Sequence, residues 1–162
     1  MLSYQWDHQA EVKKVRDALE RLGFKVWMDI AQMSGDMYKK MAEGVEGSNL
    51  MIACMSSKYQ LSENCNREFQ YAQEKKRTII PIKVERGFNA TGALGLIVAG
   101  KLYIDFSNTN FDANMISLQK EIESHLSQAP GKSNVIIYIG YMSFSCSIIT
   151  CHDSRLLNIS QQ

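Results

Sequence analysis

Two kinds of segment alternate along the chain: stretches with apolar residues at helical spacing, and unbroken apolar runs. Residues 2–4 give a short apolar start. Beyond them Val12, Val15, Leu19 and Leu22 follow at intervals of three and four. These mark one face of a helix, with Asp7 placed to cap it and Gly23 to close it. Residues 24–28 (FKVWM) read as a strand and 29–36 as a polar loop, and Met37, Met41 and Val45 share one face of a second helix over 37–45. Residues 50–55 (LMIACM) are continuous and uncharged, as expected of a strand buried on both faces. A helix then opens in SENCNREFQYA (62–72), capped by Ser62 or Asn64. It ends near Lys75, Lys76 and Arg77, where positive charge suits a helix C-terminus. TIIPIKV (78–84) is a fourth strand candidate, although Pro81 cannot donate to a ladder and argues against a central place. A loop carrying Gly87, Gly92, Gly95 and Gly100 leads to a short fifth strand at 102–105. The last helix, 112–126, carries Met115, Leu118, Ile122 and Leu126.

Strands alternating with helices through short loops predict an α/β domain with a mostly parallel sheet covered on both faces. Ligands of such sheets sit beyond the carboxyl ends of the strands, near the switch in strand order. Those ends are residues 4–7, 29–36, 56–61 and the loop after Val84. Neither the Gly-rich dinucleotide fingerprint nor the P-loop is present, so a nucleotide would have to bind in another mode. The first strand of this fold class is usually central, yet only residues 1–4 are available to form it. The expectation is that the natural first strand has lost residues. At the other end, residues 133–152 contain no Asp, Glu, Lys or Arg. Serine and threonine interrupt this apolar run, so 129–162 is expected to be a poorly ordered extension rather than a membrane anchor.

Charge narrows the partners. The 18 basic and 17 acidic side chains of the 162 residues nearly cancel, leaving no strong field to hold nucleic acid or an anionic membrane. The four cysteines include no CxxC pair and do not combine with the three histidines at metal-ligand spacing. Reduced thiols, no metal and a cytoplasmic location follow. With no secretory signal before the first element, the sequons at Asn89 and Asn158 are not expected to be glycosylated.

One carboxylate sits oddly. In SENCNREFQYA, Cys65, Phe69 and Ala72 form an apolar stripe, and Glu68 falls roughly 60° from its centre. Helical geometry alone favours a solvated shoulder residue paired with a nearby lysine or arginine. Its place after the 50–55 strand puts it at the ligand edge, where a functional role is the alternative. Gln5 and Trp6 leave the first strand at the same edge, where Trp6 either stacks on a ring or caps the core. Trp27 reads as core. Gly35 permits a turn, and Met37 begins a helical stripe.

These stretches together resemble a known family. LSYQWD (2–7) is similar to the first box of Toll/interleukin-1 receptor (TIR) domains. GFKVWMD (23–29) followed by MSGD (33–36) is similar to the second box and its BB loop. SENCNRE (62–68) matches the S-x-x-C-x-x-E segment of the TIR domains that hydrolyse NAD. The resemblance covers residues 1–128. It departs at the third box, where Tyr103–Ile104–Asp105–Phe106 replaces a Phe-Trp pair, and at Asn64, where related enzymes often place tryptophan. It implies a flavodoxin-like fold of five parallel strands with helices on both faces. It also implies Glu68 as the catalytic residue, with Gln5, Trp6, Gly35, Met37 and Cys65 bordering the substrate. NAD+ would be substrate rather than cofactor. Self-association and other TIR domains are the implied partners, in innate-immune or cell-death signalling. A non-catalytic adaptor joining TIR domains is the alternative, since many members of the family only adhere to one another.

The chemistry of NAD+ cleavage fits a lone carboxylate. The bond between ribose and nicotinamide breaks through an oxocarbenium-like state, as in glycoside hydrolysis. Nicotinamide in NAD+ is already a pyridinium and departs neutral, so no general acid is needed. A single carboxylate beside the ribose can stabilise the developing positive charge and accept a hydrogen bond from a ribose hydroxyl.

Overall fold

A computed structural model describes residues 1–28, 37–108 and 110–127 of the chain. Gly35, the rest of the 29–36 loop and the extension from residue 129 lie outside the described residues. The four strands of the sheet are β1 (Leu2–Ser3), β2 (Leu50–Met55), β3 (Thr78–Lys83) and β4 (Ile104–Asp105), all parallel and in the order β1-β2-β3-β4. Among the described residues six α-helices accompany them: α1 (Gln9–Arg21), α2 (Met37–Glu46), α3 (Ser57–Leu61), α4 (Glu63–Glu74), α5 (Gly92–Val98) and α6 (Phe111–Ser127).

Alternation along β2 divides the core. Ile52 and Cys54 join Val12, Val15, Leu19, Leu118 and Ile122 on the α1/α6 face. Met51, Ala53 and Met55 join Val45, Tyr59, Phe69, Ala72 and Leu94 on the α2/α3/α4/α5 face. Successive side chains of a strand point to opposite faces, so an unbroken apolar run is what a doubly covered strand requires.

The expected strand at 24–28 is not one. A single backbone bond, from the Leu2 N–H to the Trp27 carbonyl at 2.9 Å, ties it to β1. With β1 only two residues long, there is too little edge for a ladder to form. As the neighbour of β1, however, this segment gives the order 2-1-3-4-5 of flavodoxin-like sheets. The switch in strand order therefore falls between β1 and β2.

Pro81 lies in a central strand after all. The Val84 N–H donates to Met55 on the β2 side, whereas the Lys83 carbonyl accepts from Phe106 on the β4 side. Alternation therefore turns the Pro81 nitrogen towards β4, where pairing begins only at Ile82–Ile104. No ladder bond is lost. The glycine-bearing loop contains helix α5, which the spacing did not reveal, and α3 is a second unanticipated helix, capped by Ser56 Oγ accepting from the Tyr59 N–H at 3.0 Å. Asp7 does not cap α1. It falls inside a 3-10 turn (Trp6–His8) that precedes the helix, and its carboxylate pairs with Lys58.

Helix closure follows sequence where glycine is available. At Gly23 (φ 88°) and at Lys76 (φ 53°) the chain turns left-handed and makes the paired terminal bonds that end a helix. These are Gly23 N–H to Glu20 and Phe24 N–H to Leu19 after α1, and Lys76 N–H to Gln73 and Arg77 N–H to Ala72 after α4. A side chain in that conformation costs about 1–2 kcal/mol. Lys76→Gly is thus expected to stabilise the fold by about 0.5–1 kcal/mol after the extra unfolded-state freedom of glycine is subtracted. Urea unfolding with an unchanged m-value checks this, and a lowered midpoint would contradict it.

Candidate active site

The site begins where β1 ends. Ser3 is almost fully buried, and the chain leaves it through Tyr4 and Gln5 into the 3-10 turn that holds Trp6. Gln5 uses its side-chain oxygen to accept from the Asp7 N–H at 2.8 Å, which fixes the turn and leaves its amide nitrogen as a donor. Trp6 is 41% exposed, with its ring 6.1 Å from that of Tyr4.

Helix α4 supplies the other wall. Ser62 Oγ caps it by accepting from the Cys65 N–H at 3.3 Å. Phe69 and Ala72 anchor the inner face, which leaves Glu68 half-buried at the margin. The shoulder position inferred from helical spacing is what the packing shows. Glu68 is not turned outward, however: Ser3 Oγ donates to its Oε2 at 2.6 Å, and the same hydroxyl lies 2.9 Å from the Tyr59 hydroxyl.

Gln5, Trp6, Met37, Cys65 and Glu68 all line one cleft of about 100 Å³, beyond the carboxyl end of β1. Gly35 lies outside the described residues. Sequence reasoning missed several further members. Trp27, read as core, is half-buried and forms part of the cleft wall with Tyr4 and Met41. Asn64, which the resemblance places where related enzymes often carry tryptophan, does border the cleft, with its amide 3.7 Å from the Met37 sulfur. Ser3 was marked only as part of the LSYQWD box and Tyr59 not at all, because their contact joins residues 56 apart in sequence. On its far side Glu68 also borders a groove of about 280 Å³ between α2 and α4, walled by Tyr38, Met41, Val45, Arg67 and Tyr71.

Electrostatics assign the nucleophilic groups. Burial is the main cause that pushes the Cys65 thiol up to about 11. It stays protonated at neutral pH, its sulfur 3.5 Å from the Tyr4 carbonyl, and is a poor nucleophile. Burial likewise raises the Tyr59 phenol well above its ordinary value, with a smaller contribution from Cys65. Among the described residues Glu68 is the one carboxylate that lines the cleft. Among the described residues no cluster of His, Cys, Asp or Glu could hold a metal ion.

Gly44 sets the position of the cleft wall. A Cβ there would lie 2.9 Å from three ring carbons of Trp27. Gly44→Ala gains about 1 kcal/mol of helix propensity but forces a rigid ring to move, at about 1–3 kcal/mol. A lower melting temperature with altered tryptophan fluorescence is expected. Unchanged fluorescence and a raised midpoint would contradict this packing.

Comparison with known proteins gives the class. Residues 1–122 match the TIR domain family, and the chain belongs to it. Among solved structures it is similar to the TIR domain of the Toll-related receptor TRR-2 from Hydra magnipapillata. The TM-score is 0.60 at 18% identity, over 77% of this chain and 95% of that one, a likeness of fold. Comparison with curated proteins gives no match. No helix of the described residues is long and apolar enough to cross a membrane.

Proposed function

We propose that this TIR domain is an NAD+ glycohydrolase. It cleaves NAD+ to nicotinamide and ADP-ribose, or to a cyclic or rearranged isomer, and acts through self-association in cytoplasmic innate-immune or cell-death signalling. The observation that carries the reading is the setting of Glu68. A carboxylate held by a buried hydroxyl at 2.6 Å faces a cleft that also holds the half-exposed ring of Trp6. In that place Glu68 stabilises the positive charge that develops on the ribose as nicotinamide departs. Trp6 offers a stacking face for a planar ring, and the Gln5 amide nitrogen offers a donor. Met37 borders the same space, as does Cys65, which acts as a wall and not as a nucleophile.

A second reading, an adaptor that binds other TIR domains without chemistry, is favoured by the volume of the cleft. At about 100 Å³ it is smaller than the roughly 300–1,000 Å³ of ordinary ligand sites. The two readings separate on one assay. The full chain, concentrated and incubated with NAD+, is expected to yield nicotinamide with an equimolar ADP-ribose product on chromatography. NAD+ recovered intact would leave the adaptor.

A further inference from the structure

We infer that Tyr59 and Ser3 form a buried, one-directional hydroxyl relay that holds Glu68 in its ionised, correctly aimed form, so that both are positioning residues for the carboxylate. The relay deepens the proposed NAD+ cleavage and rests on that reading for its catalytic meaning.

The direction follows from counting protons. A serine hydroxyl has one hydrogen to give. The Ser3–Glu68 separation of 2.6 Å is that of a hydroxyl donating to a charged carboxylate. With the Ser3 proton committed to Glu68, the 2.9 Å contact has the Tyr59 O–H donating to Ser3 Oγ. Every proton then has an acceptor. In the reverse polarity a protonated Glu68 would donate to Ser3 and Ser3 to Tyr59. The phenol proton of Tyr59, a fully buried residue, would then have no acceptor among the described residues, and an unmet buried donor is strongly disfavoured. An acid protonated on Oε1 would keep the Ser3 contact, but the bond donated to Oε2 is stronger when the group is charged, and so the arrangement favours the carboxylate. Burial keeps Tyr59 a phenol, so the donor end of the relay holds its proton across the neutral range.

Rigid elements hold the three groups. Ser3 lies in β1, paired with Ala53 of the central strand. Tyr59 is fixed by the capped turn of α3, and Glu68 by α4. Among the described residues, the other titratable groups that line the two cavities beside Glu68 are Tyr4 beyond β1, Tyr38 on α2, and Cys65, Arg67, Tyr71 and Glu74 on α4. Arg67 is already engaged by Glu63 and by the Tyr38 hydroxyl. None of these changes in Ser3 or Tyr59 variants, so comparing the variants isolates the relay.

The test reads the Glu68 carboxyl directly. Its 13C chemical shift is followed against pH in the full-length protein, in wild type, Ser3→Ala, Ser3→Thr and Tyr59→Phe. A hydrogen bond to a charged group is worth about 1.5–3 kcal/mol. Ser3→Ala is therefore expected to raise the midpoint by roughly one to two pH units. Tyr59→Phe, which keeps the ring packing, is expected to raise it by less than one. Ser3→Thr should restore the wild-type midpoint. The acid limb of the pH profile for nicotinamide release is expected to move with these midpoints. A midpoint unmoved in Tyr59→Phe, or in Ser3→Ala where that variant folds, overturns the relay, whether or not NAD+ is cleaved. Shifted midpoints in a wild-type protein that releases no nicotinamide uphold the relay and overturn only the enzymatic reading.

Discussion

A tenfold rise in protein concentration is expected to raise nicotinamide release per chain about tenfold, until the rate per chain levels off. The cleft on one chain measures about 100 Å³ and has room for a single ring-sized group. The remainder of a dinucleotide needs a second wall, which a neighbouring copy would supply on the proposed reading. While the associated species is in the minority, its fraction grows in proportion to total protein, and the rate per chain grows with it. Initial rates across a dilution series, taken beside sedimentation of the same samples, check this. A rate per chain independent of concentration would mean that one chain completes its own site.

The second large effect concerns Glu68. Glu68→Gln is expected to cut nicotinamide release by roughly 10²–10³-fold, the range for removing one preorganised electrostatic group from a transition state. The amide keeps the shape of the side chain and can still accept from Ser3 Oγ, so the buried hydroxyl is not orphaned. The residue is half-buried at the margin of α4, while Cys65, Phe69 and Ala72 carry the packing of that helix. The melting temperature should therefore stay within a few degrees of wild type, an effect on chemistry without one on fold.

Which parts of the protein were legible beforehand has a physical pattern. β2 is readable because a strand covered on both faces must be apolar at every position. α1 is readable because three of its stripe residues are buried and Gly23 is free to turn left-handed. The stripe residue Leu22, beyond the helix, is exposed instead. Residues 24–28 misled because strand propensity describes a side-chain pattern, whereas a ladder also needs an edge, and β1 offers almost none. α3 and α5 are short helices set by their caps and flanking turns, too brief to show a period. The same division holds at the site. Glu68 announced itself as an acid at the margin of an apolar stripe, and Gln5 and Trp6 by leaving a strand at the ligand edge. Tyr59 was silent, and Ser3 was marked only as part of the first box, with no sign of its contact to Glu68. A small hydroxyl in a strand and a tyrosine in a five-residue helix acquire meaning only when folding brings them to one carboxylate.

The most direct test of the account is the initial rate of nicotinamide release by wild type and by Glu68→Gln, both folded and both at a concentration where the wild-type rate per chain has levelled off. The account predicts steady release by wild type and at least a hundredfold less from the variant, beyond what a change in stability explains. Equal rates, or no release by either, would contradict it.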